Sequence, residues 1–199
     1  MKTILNFLKS ILRSRIFQVS AALFFSFWLY IGGTYLSGNF REVIPNEFYR
    51  SGQLKKGDIA EMSNNYGIKT ILNLRGENTG SAWYDNEVAD AKASNVKHIN
   101  FKMSSKRELT SDQIKELITI MRDAPKPLLV HCEGGVDRSG LASALYMFAI
   151  KNSEGWEAAK HLTLLYGRPL YLGTDKMRLT FEAAKTLKPW LEMDMAEGN

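Results

Sequence analysis

The segment from Val130 to Gly140 combines the residue types that phosphoryl-transfer chemistry needs. It reads VHCEGGVDRSG and lies between a short apolar run and a nearly apolar helical pattern. A strand, loop and helix in this order present backbone N–H groups at a helix N-terminus, where the unpaired donors and the helix dipole favour an anion. Gly134 and Gly135 allow the backbone to curl around a phosphate. The segment therefore predicts a phosphate cradle.

Two side chains of this loop add reactivity to the cradle. Cys132 follows the apolar run directly, and we expect the positive pocket to hold it as the thiolate, which is the nucleophilic form. Arg138 carries a planar, permanently charged fork that can bind two phosphate oxygens. A nucleophile, an oxyanion cradle and a charge clamp in one loop suit the cleavage of a phosphoester through a cysteinyl-phosphate.

The pattern of Cys132, five residues, Arg138 and Ser139, with His131 before it and Gly140 after it, resembles that of the cysteine-dependent protein tyrosine and dual-specificity phosphatases. The stretches FYRSGQ at 48–53 and ILNLR at 71–75 are similar to compact bacterial and atypical members. The resemblance covers about residues 48–170. It implies one α/β domain with a central mixed or parallel sheet flanked by helices, and a phosphoric monoester hydrolase that uses no cofactor.

The resemblance also implies a role for each residue of the loop. Cys132 would be the nucleophile, and Arg138 would bind the phosphate and stabilise the transition state. Ser139 would donate a hydrogen bond to the cysteine sulfur and help it leave, while His131 would hold the loop. The residues expected to bind the substrate phosphate are Glu133, Gly134, Gly135, Val136, Asp137, Arg138 and, at the end of a predicted strand, Arg75.

The general acid is the point at which the sequence departs from the family. Typical members carry an Asp about thirty residues before the cysteine, but 102–110 (KMSSKRELT) contains none. Asp137 is our first candidate, because it lies inside the loop and is similar in position to the acid of myotubularin-type lipid phosphatases. Glu108 is the alternative, and a third possibility is that neither acts. Asp112 fits better in the first turn of a helix, where a carboxylate stabilises the dipole.

Short apolar runs and helical patterns alternate around these residues. We predict strands at 48–50, 68–74, 96–101 and 128–130. Helices are predicted at 55–66, 83–93, 113–122, 139–150, 154–166 and 175–187. This alternation is typical of a parallel or mixed sheet covered by helices, and it places the loop at the end of a buried strand.

The N-terminal part of the chain has a different character. From Ile16 to Phe40, 25 residues contain no Lys, Arg, Asp or Glu. As a helix, residues 16–36 would be about 30 Å long, which is the thickness of a bilayer's hydrocarbon. We predict a transmembrane helix. A cleaved secretory signal and a buried soluble helix are the alternatives; the first would have a shorter apolar region, and the second a polar face.

The charge of the N-terminal segment predicts its orientation in a membrane, and the patterns together divide the chain. Residues 1–40 carry four cations and no acid, which by the positive-inside bias predicts a cytoplasmic N-terminus and a periplasmic or other extracytoplasmic domain in a single-pass membrane protein. We divide the chain into a basic tail (1–15), the transmembrane helix (16–36), a linker (37–47), a phosphatase domain (48–190) and a C-terminal tail (191–199).

The amino-acid composition limits which classes of partner and metal the domain could bind. Beyond residue 40, 22 cations face 21 acids, so no basic surface for nucleic acid is expected. A single cysteine excludes an intrachain disulfide and a multi-cysteine zinc site, and no His, Asp or Glu spacing suggests another metal site.

The expected substrate is a phosphotyrosine or phosphoserine protein. The alternatives are a phospholipid, such as phosphatidylglycerol phosphate or a phosphoinositide, a domain that binds phosphorylated ligands without turnover, and a rhodanese-like sulfur carrier.

Overall fold

The computed structural model describes residues 4, 10, 14–36, 38–163 and 175–190. The chain divides into two compact units, Met1–Ser37 and Gly38–Asn199. The second unit contains the predicted chemistry.

The first unit contains helix α1, Arg15–Leu36, which is 22 residues long. Its apolar side chains are exposed along the helix, with Ile16 80% and Leu29 75% accessible. Within the described part of the chain, no helix combines the length and the apolarity needed to cross a bilayer. The transmembrane helix expected at 16–36 is therefore not supported by the structure.

The second unit is built on a mixed five-stranded sheet with the order β1-β2-β5-β3-β4. The strands β2, β5, β3 and β4 are parallel, and β1 pairs with β2 in the antiparallel direction. The predicted α/β class and mixed sheet are confirmed. The strand bounds are β1 Arg41–Ile44, β2 Phe48–Ser51, β3 Thr70–Asn73, β4 Lys97–Asn100 and β5 Leu128–His131.

Strand β1 lies in the segment that we expected to be a linker. Arg41 pairs with Arg50 and Glu42 with Tyr49, and Glu47 N–H closes the turn by donating to Ile44 O at 3.1 Å. As an edge strand, β1 is paired on one side only, so it tolerates the charged residues that obscured its pattern.

Within the described residues, six α-helices accompany the sheet. Their bounds are α2 Asp58–Tyr66, α3 Ala82–Ala93, α4 Ser111–Asp123, α5 Asp137–Leu145, α6 Gly155–Ala158 and α7 Lys176–Lys185. The predicted capping cluster does start α4, because the Thr110 hydroxyl accepts from Gln113 N–H at 3.3 Å and the Gln113 side chain accepts from Thr110 N–H at 3.0 Å.

Two segments predicted as single α-helices end in turns of a different helix type. The helix after the loop begins at Asp137, two residues earlier than expected, and continues past Leu145 as a wider π turn, Tyr146–Ile150. The helix predicted at 154–166 is α6 followed by a 3₁₀ turn, Ala159–Leu162, and its last residues, 164–166, lie outside the described part. The C-terminal tail, 191–199, also lies outside it.

The sheet separates two apolar cores. Leu128 and Val130 of β5 belong to the core shared with α4, α5 and α7, and Leu129 belongs to the smaller core under α2 and α3. This alternation follows from the two-residue period of a strand. Since β5 is buried on both faces between β2 and β3, its carboxyl end, where Cys132 lies, is held firmly.

Candidate active site

The loop that follows β5 places Cys132 beside Ser139. The cysteine is 2% accessible, and its Sγ lies 3.6 Å from the Oγ of Ser139, a fully buried residue in the first turn of α5. A hydroxyl at this distance can donate to a thiolate, and can keep donating to the sulfur as it leaves a phosphorus atom. The structure thus brings together the two side chains that the sequence assigned to nucleophile and leaving-group support.

The loop is curled tightly against the segment after β2. Gly135 has φ +68°, in the left-handed region, and a Cβ atom there would lie 2.5 Å from the Gly52 nitrogen. Gln53 N–H donates to Glu133 O at 3.0 Å, and Asn39 Nδ2 donates to Gly134 O at 2.6 Å. These bonds fix the curvature of the loop, and only glycine fits at position 135.

Arg138 lines an open cleft of about 560 Å³ next to this loop. Its side chain is 15% accessible, and one nitrogen lies 3.6 Å from the Glu133 carboxylate, which is itself 73% accessible. An ion pair of this length with so exposed a partner contributes little to the stability of the protein. The guanidinium can therefore exchange Glu133 for a phosphate.

His131 is held by a carboxylate that the sequence analysis missed. The His131 Nε2 donates to Glu87 Oε1 at 2.9 Å, and both side chains are fully buried. His98 Nε2 donates to the same oxygen at 2.8 Å, and Gln53 Nε2 donates to Glu87 Oε2 at 2.7 Å. Glu87 lies on α3 between buried Tyr84 and Ala91. An acid in that buried helical stripe was the signal available in the sequence.

Glu87 stays ionised in this setting. Burial by itself would raise its pKa, but the hydrogen bonds and the charges of His131 and His98 outweigh burial and lower the pKa to about 2. An ionised Glu87 only accepts hydrogen bonds, so it fixes the proton of each histidine on Nε2. His131 Nδ1 lies 3.4 Å from Cys132 O, so this chain of contacts reaches the nucleophile's own backbone.

We expect Glu87→Gln to destabilise the protein by about 2–4 kcal/mol at pH 7, because buried hydrogen bonds to a charged group are lost. The folded-state pKa lies below the unfolded value, so the stability that Glu87 contributes is complete above about pH 4.5 and is lost as the pH falls toward 2. Urea unfolding at pH 7, 5 and 3 should show the difference from wild type shrinking at pH 3. Glu77→Gln, at an exposed site, is the control. A difference that does not vary with pH would contradict this role.

Arg75 also reaches the site. Its Nη1 donates to Gln53 Oε1 at 2.6 Å, and its guanidinium lies 3.7 Å above the Trp83 ring centre. Arg75 and Arg138 line the same cleft. The structure therefore places Arg75 where the sequence analysis expected it, with its orientation fixed on two sides.

The three acids considered for proton transfer occupy different places. Asp137 is the first residue of α5 and is partly buried beside Arg138. Glu108 lines the cleft, but its Oε1 lies 2.8 Å from Lys176 Nζ. Asp112 lies in the first turn of α4, as expected from its capping cluster. Only Asp137 belongs to the loop and helix that hold the nucleophile.

Residues 37–169 match the family model described as "DSP-PTPase phosphatase fused to NAD+ Kinase". This match covers the sheet, the loop and the whole of α5. No curated protein matches the chain.

Several solved structures share the fold. The core catalytic domain of the PP-IP phosphatase SIW14 from S. cerevisiae, in complex with citrate, is 21% identical, with 72% of this chain and 83% of that chain covered at a TM-score of 0.58. TpbA from P. aeruginosa in complex with pTyr is 18% identical, covering 66% and 76% at a TM-score of 0.52. PTPMT1 in complex with PI(5)P is 12% identical, covering 75% and 97% at a TM-score of 0.58. At these identities, the likeness shows the fold alone.

Proposed function

The chain belongs to the DSP-PTPase phosphatase family and is a cysteine-dependent phosphoric monoester hydrolase, and from this premise we propose that it works in two steps with Asp137 as the general acid. In the first step, Cys132 Sγ attacks phosphorus, the bond from phosphorus to the leaving oxygen breaks, and Asp137 gives that oxygen its proton. Arg138 and the loop N–H groups bind the phosphoryl oxygens.

In the second step, water attacks the cysteinyl-phosphate. Asp137, now a carboxylate, takes the proton from the water, the S–P bond breaks, and Ser139 donates a hydrogen bond to the departing thiolate. Inorganic phosphate leaves and Cys132 is regenerated. The observation that carries this proposal is the 3.6 Å approach of Cys132 Sγ to Ser139 Oγ at the end of a buried strand.

The test uses the full chain, purified in detergent, in excess EDTA. We expect release of inorganic phosphate from phenyl phosphate, a monoester, and none from bis(p-nitrophenyl) phosphate, a diester that leaves no dianion for the loop to bind. A chain that binds the monoester but releases nothing would be a non-catalytic phosphate-binding domain. The intact set of Cys132, Arg138 and Ser139 favours the enzyme over that alternative and over a sulfur carrier.

The sequence predicts a phosphorylated protein as the substrate, with a phospholipid as the alternative. Structures with the same fold hold different ligands, since TpbA is in complex with pTyr and PTPMT1 is in complex with PI(5)P. The fold therefore supports both classes equally, and the choice depends on this chain's own cleft.

We also propose that α1 holds the chain at a membrane, with the phosphatase unit on the extracytoplasmic side. Support comes from the charge pattern of the first 40 residues and from the exposed apolar side chains of α1.

In a bacterial host, the full chain should sediment with membranes and resist extraction by high salt, whereas residues 41–199 should remain in the soluble fraction. Recovery of the full chain in the soluble fraction would contradict the anchor, and an inactive alkaline phosphatase fused after Phe40 would contradict the orientation.

A further inference from the structure

The cleft beside the nucleophilic loop is strongly cationic. Its cations come from three segments: the loop after β3, the loop after β4 and the first turn of α5. The cations that line it are Arg75, Lys102, Lys106, Arg107 and Arg138. Its only carboxylate among the described residues is Glu108, which already lies 2.8 Å from Lys176 Nζ. Five cations thus face this one carboxylate of the cleft wall and the exposed Glu133, which lies 3.6 Å from Arg138.

Backbone contacts bring the segments that carry two of these cations side by side. Phe101 N–H donates to Asn73 O at 3.0 Å and Met103 N–H donates to Leu74 O at 3.3 Å, so the loops that carry Lys102 and Arg75 run side by side. Between them, Gly76 has φ +79°, and a Cβ atom there would lie 2.5 Å from Lys102 Cβ. Bringing like charges together costs free energy unless an anion lies between or beside them.

A single phosphate does not need all of these cations. The dianion of a monoester is already served by Arg138 and the N–H groups of the loop. Lys102, Lys106 and Arg107 all come from the segment 102–110, in which typical family members carry the acid instead. In this chain, that segment is basic, and its cations face the same cleft as Arg138.

We propose that this cleft is a subsite for a second phosphate group on the same substrate molecule. The chain would then act on a bisphosphate, with one phosphate on Cys132 and the other held by Arg75, Lys102, Lys106 and Arg107. The inference rests on the proposed function, because it concerns the substrate of that reaction. The second phosphate comes either from a lipid headgroup or from a soluble polyphosphorylated molecule, and the chemistry of recognition is the same for both.

The number and kind of the cations favour a phosphate over the carboxylates of an acidic phosphopeptide. A phosphate dianion presents three oxygens to a convergent set, and the arginine fork matches it in two-point contact. Arg75 is fixed for such contact by its hydrogen bond to Gln53 and by its stacking on Trp83. An acidic peptide would spread single charges over a longer, more open surface.

The experiment compares kcat/KM of the full chain in detergent for four substrates. They are myo-inositol 1-phosphate as the monophosphate with the same kind of leaving group, myo-inositol 1,4-bisphosphate as the soluble bisphosphate, phosphatidylinositol 4,5-bisphosphate in mixed micelles as the lipid, and a phosphotyrosine peptide flanked by glutamates. We expect either bisphosphate to exceed the monophosphate by about 10–100-fold, which corresponds to one or two charge-assisted contacts. The triple variant Lys102→Gln/Lys106→Gln/Arg107→Gln should reduce that ratio at least about tenfold.

The matched control is Lys69→Gln/Lys92→Gln/Lys97→Gln, which removes three cations from a separate surface groove. It should leave the ratio at its wild-type value. Both variants lose three positive charges, so they weaken the general attraction between the substrate and the protein's net charge equally, and only the loss of the subsite should lower the ratio. The better of the two bisphosphates identifies the source of the second phosphate. A wild-type ratio near one, or a preference for the acidic peptide over both bisphosphates, would overturn the subsite. Failure to release phosphate from any substrate would instead overturn the proposed function.

Discussion

The Cys132→Ser protein is expected to release phosphate at least about 10⁴-fold more slowly than the wild type, on every substrate. The hydroxyl that replaces the thiol holds its proton far more tightly than a thiol does, so the attacking anion is missing. Phosphate release under single-turnover conditions measures this loss directly. The variant should still bind a phosphomonoester, because Arg138 and the loop N–H groups are unchanged.

The substitution is conservative in size, so the loss of turnover should not reflect loss of the fold. Cys132 is almost fully buried, and serine occupies nearly the same volume. The thermal midpoint should therefore change by only a few degrees, and equilibrium dialysis should show phosphate bound as by the wild type. Retention of a tenth of the activity by a folded variant would mean that another group attacks phosphorus.

Asp137→Asn should reduce kcat by about 10²–10⁴-fold on an alkyl phosphate. An alkoxide is a poor leaving group and must be protonated as it departs, and asparagine has no proton to give. On p-nitrophenyl phosphate, the leaving anion is stable without a proton, so the loss should be much smaller. Asparagine keeps the size of the side chain, which preserves the start of α5. The measurement is kcat for a series of leaving groups of increasing pKa.

Glu108→Gln is the matched control for this series, since it removes a carboxylate from the wall of the same cleft. Its effect should not depend on the leaving group, because the ion pair with Lys176 ties the carboxylate to α7. If the dependence appeared in Glu108→Gln and not in Asp137→Asn, the acid would be Glu108. If neither variant showed it, the proton would come from elsewhere and the assignment of Asp137 would be wrong.

The central parts of the fold could be predicted because they depend on local patterns. β3 and β5 are short apolar runs, and the capping box at Thr110 indicates the start of α4. The edge strand β1 was missed, since none of its four residues is fully buried and its pairing with β2 is a contact made in space. The π turn at Tyr146–Ile150 was missed for a similar reason, because its composition is that of any apolar helix.

The loop residues could be assigned from the sequence because they are contiguous. Cys132 and Ser139 are seven residues apart, and one turn of loop and one turn of helix bring them together. Glu87 lies 44 residues before its partner His131, so no spacing rule could join them. The cationic cleft is also a product of topology, because it depends on β3 and β4 ending side by side at the same edge of the sheet.

The most direct test of the account is to find the phosphate on the protein during turnover. The full chain, mixed with a radiolabelled phosphomonoester and denatured within milliseconds, should carry label on a single peptide, and the label should map to the sulfur of Cys132. Ser139→Ala should increase the labelled fraction, because the second step loses support for its leaving thiolate. Turnover without any labelled protein, or with the label on another residue, would contradict the cysteinyl-phosphate mechanism.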